Sequence, residues 1–330
     1  MDASGAGGFA ERPLGYVFRP HRRGEADHEA MAAVRLGCAE RDRMDPGSVV
    51  EGIPTAAELA QSCRTLDDPA EDQLLVERDG RVVGHATVRW WQERDGTWVY
   101  LHRGHLLPGH RARGVGSAML GWAEDRVRRL VRRHGTARSA VFGANAMDGE
   151  HDATALLLQA GYRRVFSLVE LELADLRRLP AVERLPPGIR LGAIGPDAFR
   201  AAWETVVDSY ADVAFIEEWP FESFLDAADP TCWRAARQGE RLVGAVLCVI
   251  RRRDRTVGEV EELSVRAEWR RRGLGRALLL DGLRCLREHG ARSARLCTGS
   301  ANPYRSYDLY ESVGFRRRNE HVRYRKPMDL

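Results

Sequence analysis

The 330-residue sequence predicts a mixed α/β protein made of two tandem domains, each a mixed sheet flanked by helices. Three observations carry that prediction. The stretch Gly258 to Leu280, GEVEELSVRAEWRRRGLGRALLL, reads as a strand, a basic glycine loop and the opening turns of a helix. The loop recurs upstream as His110 to Leu120, HRARGVGSAML. Arg111 and Arg270, Gly114 and Gly273, and the hairpin glycines Gly80 and Gly239 are each separated by 159 residues, and a single offset at three landmarks marks an internal duplication.

The elements follow in order. Residues 1–13 read as a flexible tail, and Tyr16 to Arg19 as a first strand. Ala26 to Arg43 is helical. Met44 to Asp72, broken by Pro46, Gly47, Gly52, Pro54 and Pro69, contributes a short helix over a cleft. Leu74 to Val88 forms two strands joined at Asp79-Gly80, and Trp98 to Leu107 another. After the first loop and its helix, Gly161-Tyr162 answers Gly314-Phe315 at an offset of 153. Arg163 to Leu173 alternates as a closing strand, so the first domain spans 14–174. Residues 175–187, with Pro180, Pro186 and Pro187, are the linker. The second domain, 188–330, restarts with Gly188 to Leu191. A helix over Asp197 to Tyr210, a cleft cover over Trp219 to Asp229 and a hairpin over Arg234 to Arg251 come next. Strands at Ala294 to Thr298 and Glu320 to Arg325 flank a helix around Tyr310.

Composition narrows the function classes. Hydrophobic content of 44% and charged content of 30% describe a soluble globular chain, and no apolar run approaches the roughly 20 residues of a membrane span. The N-terminus lacks a basic segment followed by an apolar core, so no secretory signal is expected. Six scattered cysteines without a CxxC pair fit a reduced, cytoplasmic protein and predict no metal centre. Lys326 is the sole lysine among 51 basic residues, but 48 acids bring the net charge to +3, so no nucleic-acid partner is expected.

The glycine loop is suited to anions. N–H groups at a helix start have no intrahelical acceptor and carry the positive end of the dipole, and Arg270, Arg271, Arg272 and Arg276 add charge. A P-loop would need GxxxxGK[ST], and a Rossmann loop a glycine where Leu278 stands. The pattern present, Arg270-x-x-Gly273-x-Gly275, resembles the acetyl-CoA loop of the GNAT superfamily of N-acetyltransferases. Asn302, with Leu309-Tyr310 and Gly314-Phe315 behind it, resembles that family's closing signature.

The resemblance implies two tandem GNAT domains with mostly antiparallel sheets, each with a splayed strand at the acetyl-CoA site. It implies that backbone groups at Leu263, Ser264 and Val265 bind the pantetheine arm and that Arg270 to Ala277, Leu274 included, take the diphosphate. Asn302 would bond the cofactor. Counting six residues back from Val265 gives Glu259 as the expected base, with Glu261 second, and Tyr310 as the acid for the leaving thiolate. Period-two alternation puts Glu259 and Glu261 on one strand face and Glu262 on the other. Tyr304 and Tyr307 are nearby alternatives to Tyr310.

The first domain keeps the loop, so Leu106, Leu107, Arg111, Ala112, Arg113, Gly114, Val115, Gly116 and Ser117 are expected to hold a second acetyl-CoA. Its chemistry is absent. The 159 offset puts Tyr100 opposite Glu259, and the 153 offset puts Leu157 opposite Tyr310 and Gly149 opposite Asn302. His102 and His105 stand three apart on a strand, on opposite faces, which argues against a metal pair. The expected protein is thus an acetyl-CoA-dependent transferase acting in its second domain on the primary amine of a small molecule, as a monomer or homodimer. A non-catalytic acyl-CoA sensor and a protein N-acetyltransferase are the alternatives. Glu217, Glu218, Glu222 and Asp226 in the cleft cover would suit a cationic acceptor.

Overall fold

The computed structural model describes residues 13–22, 24–181, 185–210, 220–226, 228–300 and 306–328. The chain divides into two compact units, 1–167 with 321–330, and 168–320.

In the first unit the elements are β1 (Tyr16–Pro20), α1 (Glu25–Cys38), α2 (Ala56–Cys63), α3 (Pro69–Asp72), β2 (Gln73–Arg78), β3 (Arg81–Gln92), β4 (Trp98–Leu106), α4 (Val115–His134), β5 (Ala140–Met147) and α5 (His151–Gln159). The helix expected to reach Arg43 stops at Cys38, and Arg43 adopts a left-handed φ of 51° in the turn that follows. At α2 Thr55 and Glu58 form a capping box, Thr55 accepting from the Glu58 N–H and Glu58 from the Thr55 N–H.

The second unit repeats the pattern. It contains β7 (Ile189–Ala193), α6 (Phe199–Ser209), α7 (Phe221–Asp226), β8 (Arg234–Gln238), β9 (Arg241–Ile250), β10 (Val257–Val265), α8 (Leu274–Glu288), β11 (Ser293–Gly299) and α9 (Ser306–Val313). Two long strands, β6 (Arg163–Leu173) and β12 (Arg316–Pro327), are shared out between the units.

Within the first unit the strand order is β1-β2-β3-β4-β5-β12, and within the second β6-β11-β10-β9-β8-β7. Each sheet is antiparallel except for one pair, β4 with β5 and β10 with β11. The closing strands are exchanged relative to the duplicated sequence. His321 to Pro327 pair with β5 in the first unit, while 168–173 pair with β11 in the second. The compact division therefore falls at 167/168 and 320/321 and not within 175–187.

Each core lies between its sheet and its long helix. Helix α8 buries Leu278, Leu279, Leu280, Leu283 and Leu286, all at 0% exposure, against Val246, Cys248 and Val260. Each such leucine contributes roughly 1.5–3 kcal/mol of transfer free energy. The other face of β9, through Ala245 and Leu247, packs on Ala202, Val206 and Phe224 of α6 and α7. That two-sided burial explains why β9 reads LVGAVLC without polar alternation. In the first unit α4 buries Val115, Val127, Leu130 and Val131 in the same way.

Candidate active site

The glycine loops are conformational copies. Ala112 and Arg271 have φ of 56° and 59°, and Gly114 and Gly273, the N-caps of α4 and α8, have φ of 78° and 79°. A left-handed residue at both positions turns the chain so that the next N–H groups point out along the helix axis. The helical bonds Ala118 N–H to Gly114 and Ala277 N–H to Gly273 leave the preceding donors, of residues 115–117 and 274–276, directed at the loop. A Cβ on Gly275 would stand 3.6 Å from Leu309 Cδ2, and one on Gly116 3.4 Å from Leu156 Cδ2, both ordinary van der Waals contacts. The residues present fit a diphosphate-bearing cosubstrate.

The first arginine of each loop also has a local task. Arg270 Nε donates to the Val265 carbonyl at 3.0 Å, and Arg111 Nε to the Leu106 carbonyl at 2.9 Å. These bonds tie the loop to the end of the strand before it. Arg111 is committed further: its NH1 and NH2 donate to Asp42 at 2.6 and 2.7 Å, and NH1 also to Asp152 at 3.0 Å. Those bonds to Asp42 raise the guanidinium pKa. Arg272 lies over the Trp269 ring at 5.1 Å.

Beside each loop the sheet opens. Parallel pairing of β10 with β11 runs from Val257↔Ser293 to Val260↔Leu296, whereas β10 stays paired to β9 as far as Val265↔Gly244. From Glu261 onward, β10 and β11 part. Backbone groups of Leu263, Ser264 and Val265 border this gap. The first unit repeats it, with pairing of β4 and β5 ending at His102↔Ala144 and β4 continuing to Leu106. A cavity of about 430 Å³ fills that position, lined by Leu106, Arg111, Ala112, Gly114, Gly116 and Ser117 among others.

A β-bulge rearranges the strand glutamates. Glu259 pairs with Val249, Val260 with Cys248 and Glu262 with Leu247, leaving Glu261 as the extra residue. Because Val249 and Leu247 are two apart on β9, Glu262 shares the face of Glu259. This reverses the simple alternation expected from the sequence, which set Glu262 on the opposite side. Glu261 is the most exposed of the three, yet the protein around it partly desolvates its carboxyl and, with Asp229, pushes it up.

The Glu259 and Glu262 face is the one that α6 covers. Tyr210, the residue after α6, donates to Glu262 Oε2 at 2.6 Å, and Ser209 Oγ lies 3.0 Å from Ser264 Oγ. Burial pushes Glu262 up to about 7, against the Tyr210 hydrogen bond, which lowers it. Glu259 is likewise raised to about 7 by burial and by Glu261, although Arg251 Nε stands 3.8 Å away. Tyr310, on α9, is 8% exposed and edge-on to Phe315 at 6.0 Å. Burial, with Glu262 and Cys297, raises its phenol pKa, so the hydroxyl keeps its proton. Glu262 and Cys297 thus both act to raise the phenols of Tyr210 and Tyr310.

Sequence reasoning missed Tyr210 and Cys297 and placed Glu262 on the wrong strand face. No spacing rule links a helix-end tyrosine to a strand 52 residues on. Asn302 and Tyr304, with Glu217 and Glu218, lie outside the described residues; Glu222 and Asp226 are exposed on α7. Tyr307 is half-buried, its phenol pushed up to about 12 by burial.

The first unit carries other chemistry at the matching register. Structural pairing sets Leu101, not Tyr100, opposite Glu259, and Arg103 opposite Glu262. Leu157 does match Tyr310, since Tyr162 N–H bonds to Leu157 as Phe315 N–H bonds to Tyr310. His102 is bonded to the Tyr162 hydroxyl at 2.8 Å and lowered to about 4 by burial, while His105 meets Arg35 NH1 at 2.7 Å. The two histidines have separate partners.

A model of the acetyltransferase (GNAT) family matches residues 40–162 and again 197–315. The chain belongs to the GNAT family. It is an acyltransferase of tandem GNAT architecture, and acetyl-CoA is the family's cosubstrate. Among curated proteins it is similar to mycothiol acetyltransferase of Thermobispora bispora, 31% identical over 91% of this chain and 96% of that one. Mycothiol acetyltransferase of Geodermatophilus obscurus is 29% identical over 86% and 96%. Among solved structures, a GCN5-related N-acetyltransferase from Sphaerobacter thermophilus shares the fold with a TM-score of 0.75 at 24% identity, covering 97% of this chain and 99% of that one. A tandem GNAT protein from the clavulanic acid biosynthesis pathway has a TM-score of 0.65 at 19% identity, covering 95% and 100%. No helix among the described residues is long and apolar enough to cross a membrane.

Proposed function

We propose that this GNAT protein transfers an acetyl group from acetyl-CoA to the primary amine of a small molecule, and that the reaction takes place in the second unit. One observation carries the choice of unit: two carboxyls raised to about 7 stand on one face of β10, where the first unit has Leu101 and Arg103. Similarity to proteins named mycothiol acetyltransferase supports a small-molecule acceptor, and a thiol-bearing one is what their name suggests.

Acetyl-CoA supplies an acetyl group activated as a thioester. Donors of residues 274–276 would take its diphosphate, Arg270 fixes the loop to Val265, and the backbone edge of Leu263 to Val265, unpaired with β11, would line its arm. The ammonium of the acceptor must lose a proton before it can attack. Glu259 is the base we assign, acting through water, with Glu262 as the carboxylate nearer the gap. Carboxyls tuned near 7 are half ionised at neutral pH and accept a proton readily. Tyr310, protonated at any physiological pH, donates to the departing sulfur. The cavity of the first unit is suited to a second acetyl-CoA without turnover.

Kinetics of Glu259→Gln and Tyr310→Phe test these roles. Each should keep its affinity for acetyl-CoA and lose about 10²–10⁴-fold in kcat, the span of a general acid or base. Full turnover in both variants would exclude the mechanism.

A further inference from the structure

Two histidines and a cysteine converge inside the first unit, away from the glycine loop. His21 follows β1, His28 lies in the first turn of α1, and Cys63 ends α2. They are 2%, 8% and 7% exposed. One imidazole nitrogen from each histidine and Cys63 Sγ all lie within 4.8 Å of one another. The two rings face each other with centroids 4.7 Å apart and planes 41° from parallel. His28 Nε2 is buried with no hydrogen-bond partner, which costs free energy unless something occupies its lone pair or takes its proton.

We infer that His21, His28 and Cys63 form a structural site for a zinc-type divalent cation. Two imidazoles and a thiolate are the donor set of a borderline-soft ion, and the hard cations that prefer oxygen ligands are poorly matched to it. Zinc–nitrogen bonds of about 2.0–2.1 Å and a zinc–sulfur bond of about 2.3 Å hold tetrahedral ligand atoms about 3.3–3.7 Å apart. The trio therefore closes by about an ångström to coordinate, a rotamer adjustment. Cys63 now donates to Gln73 Oε1 at 3.5 Å. On binding, the thiol proton leaves to solvent, Sγ becomes the third ligand, and Gln73 Oε1 is the adjacent oxygen for the fourth position.

Charge balance favours a dication here. Asp27, next to His28 in the chain, and Glu77 are two carboxylates that share one guanidinium, that of Arg19. Arg19 is already matched, donating to Asp27 at 2.7 and 2.8 Å and to Glu77 at 2.6 Å. The ion would pin the end of β1 and the helices α1 and α2, the part of the unit with the least sheet to hold it.

A second trio, Cys232, Cys285 and His289, serves as the control. Its atoms already bond one another, His289 Nδ1 lying 3.5 Å from Cys232 Sγ, 3.7 Å from Cys285 Sγ and 2.9 Å from the Cys285 carbonyl.

The test is zinc titration of the full chain after chelator treatment, read by competition with a chromophoric chelator. Wild type and Cys285→Ser should each bind one equivalent at this site and gain thermal midpoint with zinc. His28→Ala and Cys63→Ser should bind it at least about 100-fold more weakly and show no gain. Should those two variants fail to fold, cobalt added to Cys285→Ser decides: a thiolate-to-cobalt charge-transfer band supports the site. Absence of that band, absence of zinc binding by folded wild type, or binding indifferent to both His28→Ala and Cys63→Ser would overturn it.

Discussion

Tyr210 donates its phenolic hydrogen to Glu262 across 2.6 Å, from the end of α6 to the bulged part of β10. The bond joins the helix that covers the Glu259 and Glu262 face to the strand that borders the gap. It also opposes burial, which would otherwise push the Glu262 carboxyl higher than about 7. Tyr210→Phe removes the donor, so the Glu262 pKa rises. If Glu262 contributes to proton removal, the acid limb of the kcat/KM profile moves to higher pH, with the plateau rate changed little. An acid limb left in place in Tyr210→Phe would detach Glu262 from the reaction.

The same raised carboxyls set a pH dependence of stability. A carboxyl whose folded pKa lies above its unfolded value binds more protons when folded, so its contribution is full below about 4.5 and declines as pH rises through 7. Glu262→Gln, which cannot ionise, should be more stable than wild type at pH 8 by on the order of 1–3 kcal/mol. At pH 4.5 the two should converge. Urea unfolding at both pH values reads the difference.

Arg270 is placed to act as a clamp through Val265. Arg270→Ala should raise KM for acetyl-CoA about tenfold, the worth of one charged hydrogen bond. The salt dependence of KM separates clamp from diphosphate contact. A clamp leaves the slope unchanged, whereas a lost phosphate contact flattens it.

In the first unit Asp42 holds Arg111 in a bidentate pair, both side chains largely buried. Asp42→Ala removes two charged hydrogen bonds and leaves the guanidinium with Asp152 and the Leu106 carbonyl, so it should cost about 2 kcal/mol in the unfolding free energy of that unit. Calorimetric scanning should show one transition moving down.

The sequence already displayed what depends on local pattern. Both loops, their helices and the duplicated hairpins could be read from glycine spacing and apolar periodicity, because a left-handed turn and an amphipathic helix leave their marks within a few residues. Two features escaped. The bulge at Glu261 inserts one residue into β10, a choice made by pairing with β9 and not by Glu261 itself. That insertion moved Glu262 onto the face of Glu259 and shifted the counterpart of Glu259 from Tyr100 to Leu101. The exchange of closing strands escaped for a similar reason. Arg163 to Leu173 and Arg316 to Pro327 both read as good strands, and strand pattern does not name its partner.

Release of free CoA thiol with a panel of primary amines tests most directly whether the second unit alone turns over. Wild type would be measured beside Gly116→Glu and Gly275→Glu, each placing a carboxylate in one cradle. Gly275→Glu should abolish amine-dependent thiol release and Gly116→Glu should retain most of it. Release lost in Gly116→Glu and kept in Gly275→Glu would contradict the assignment.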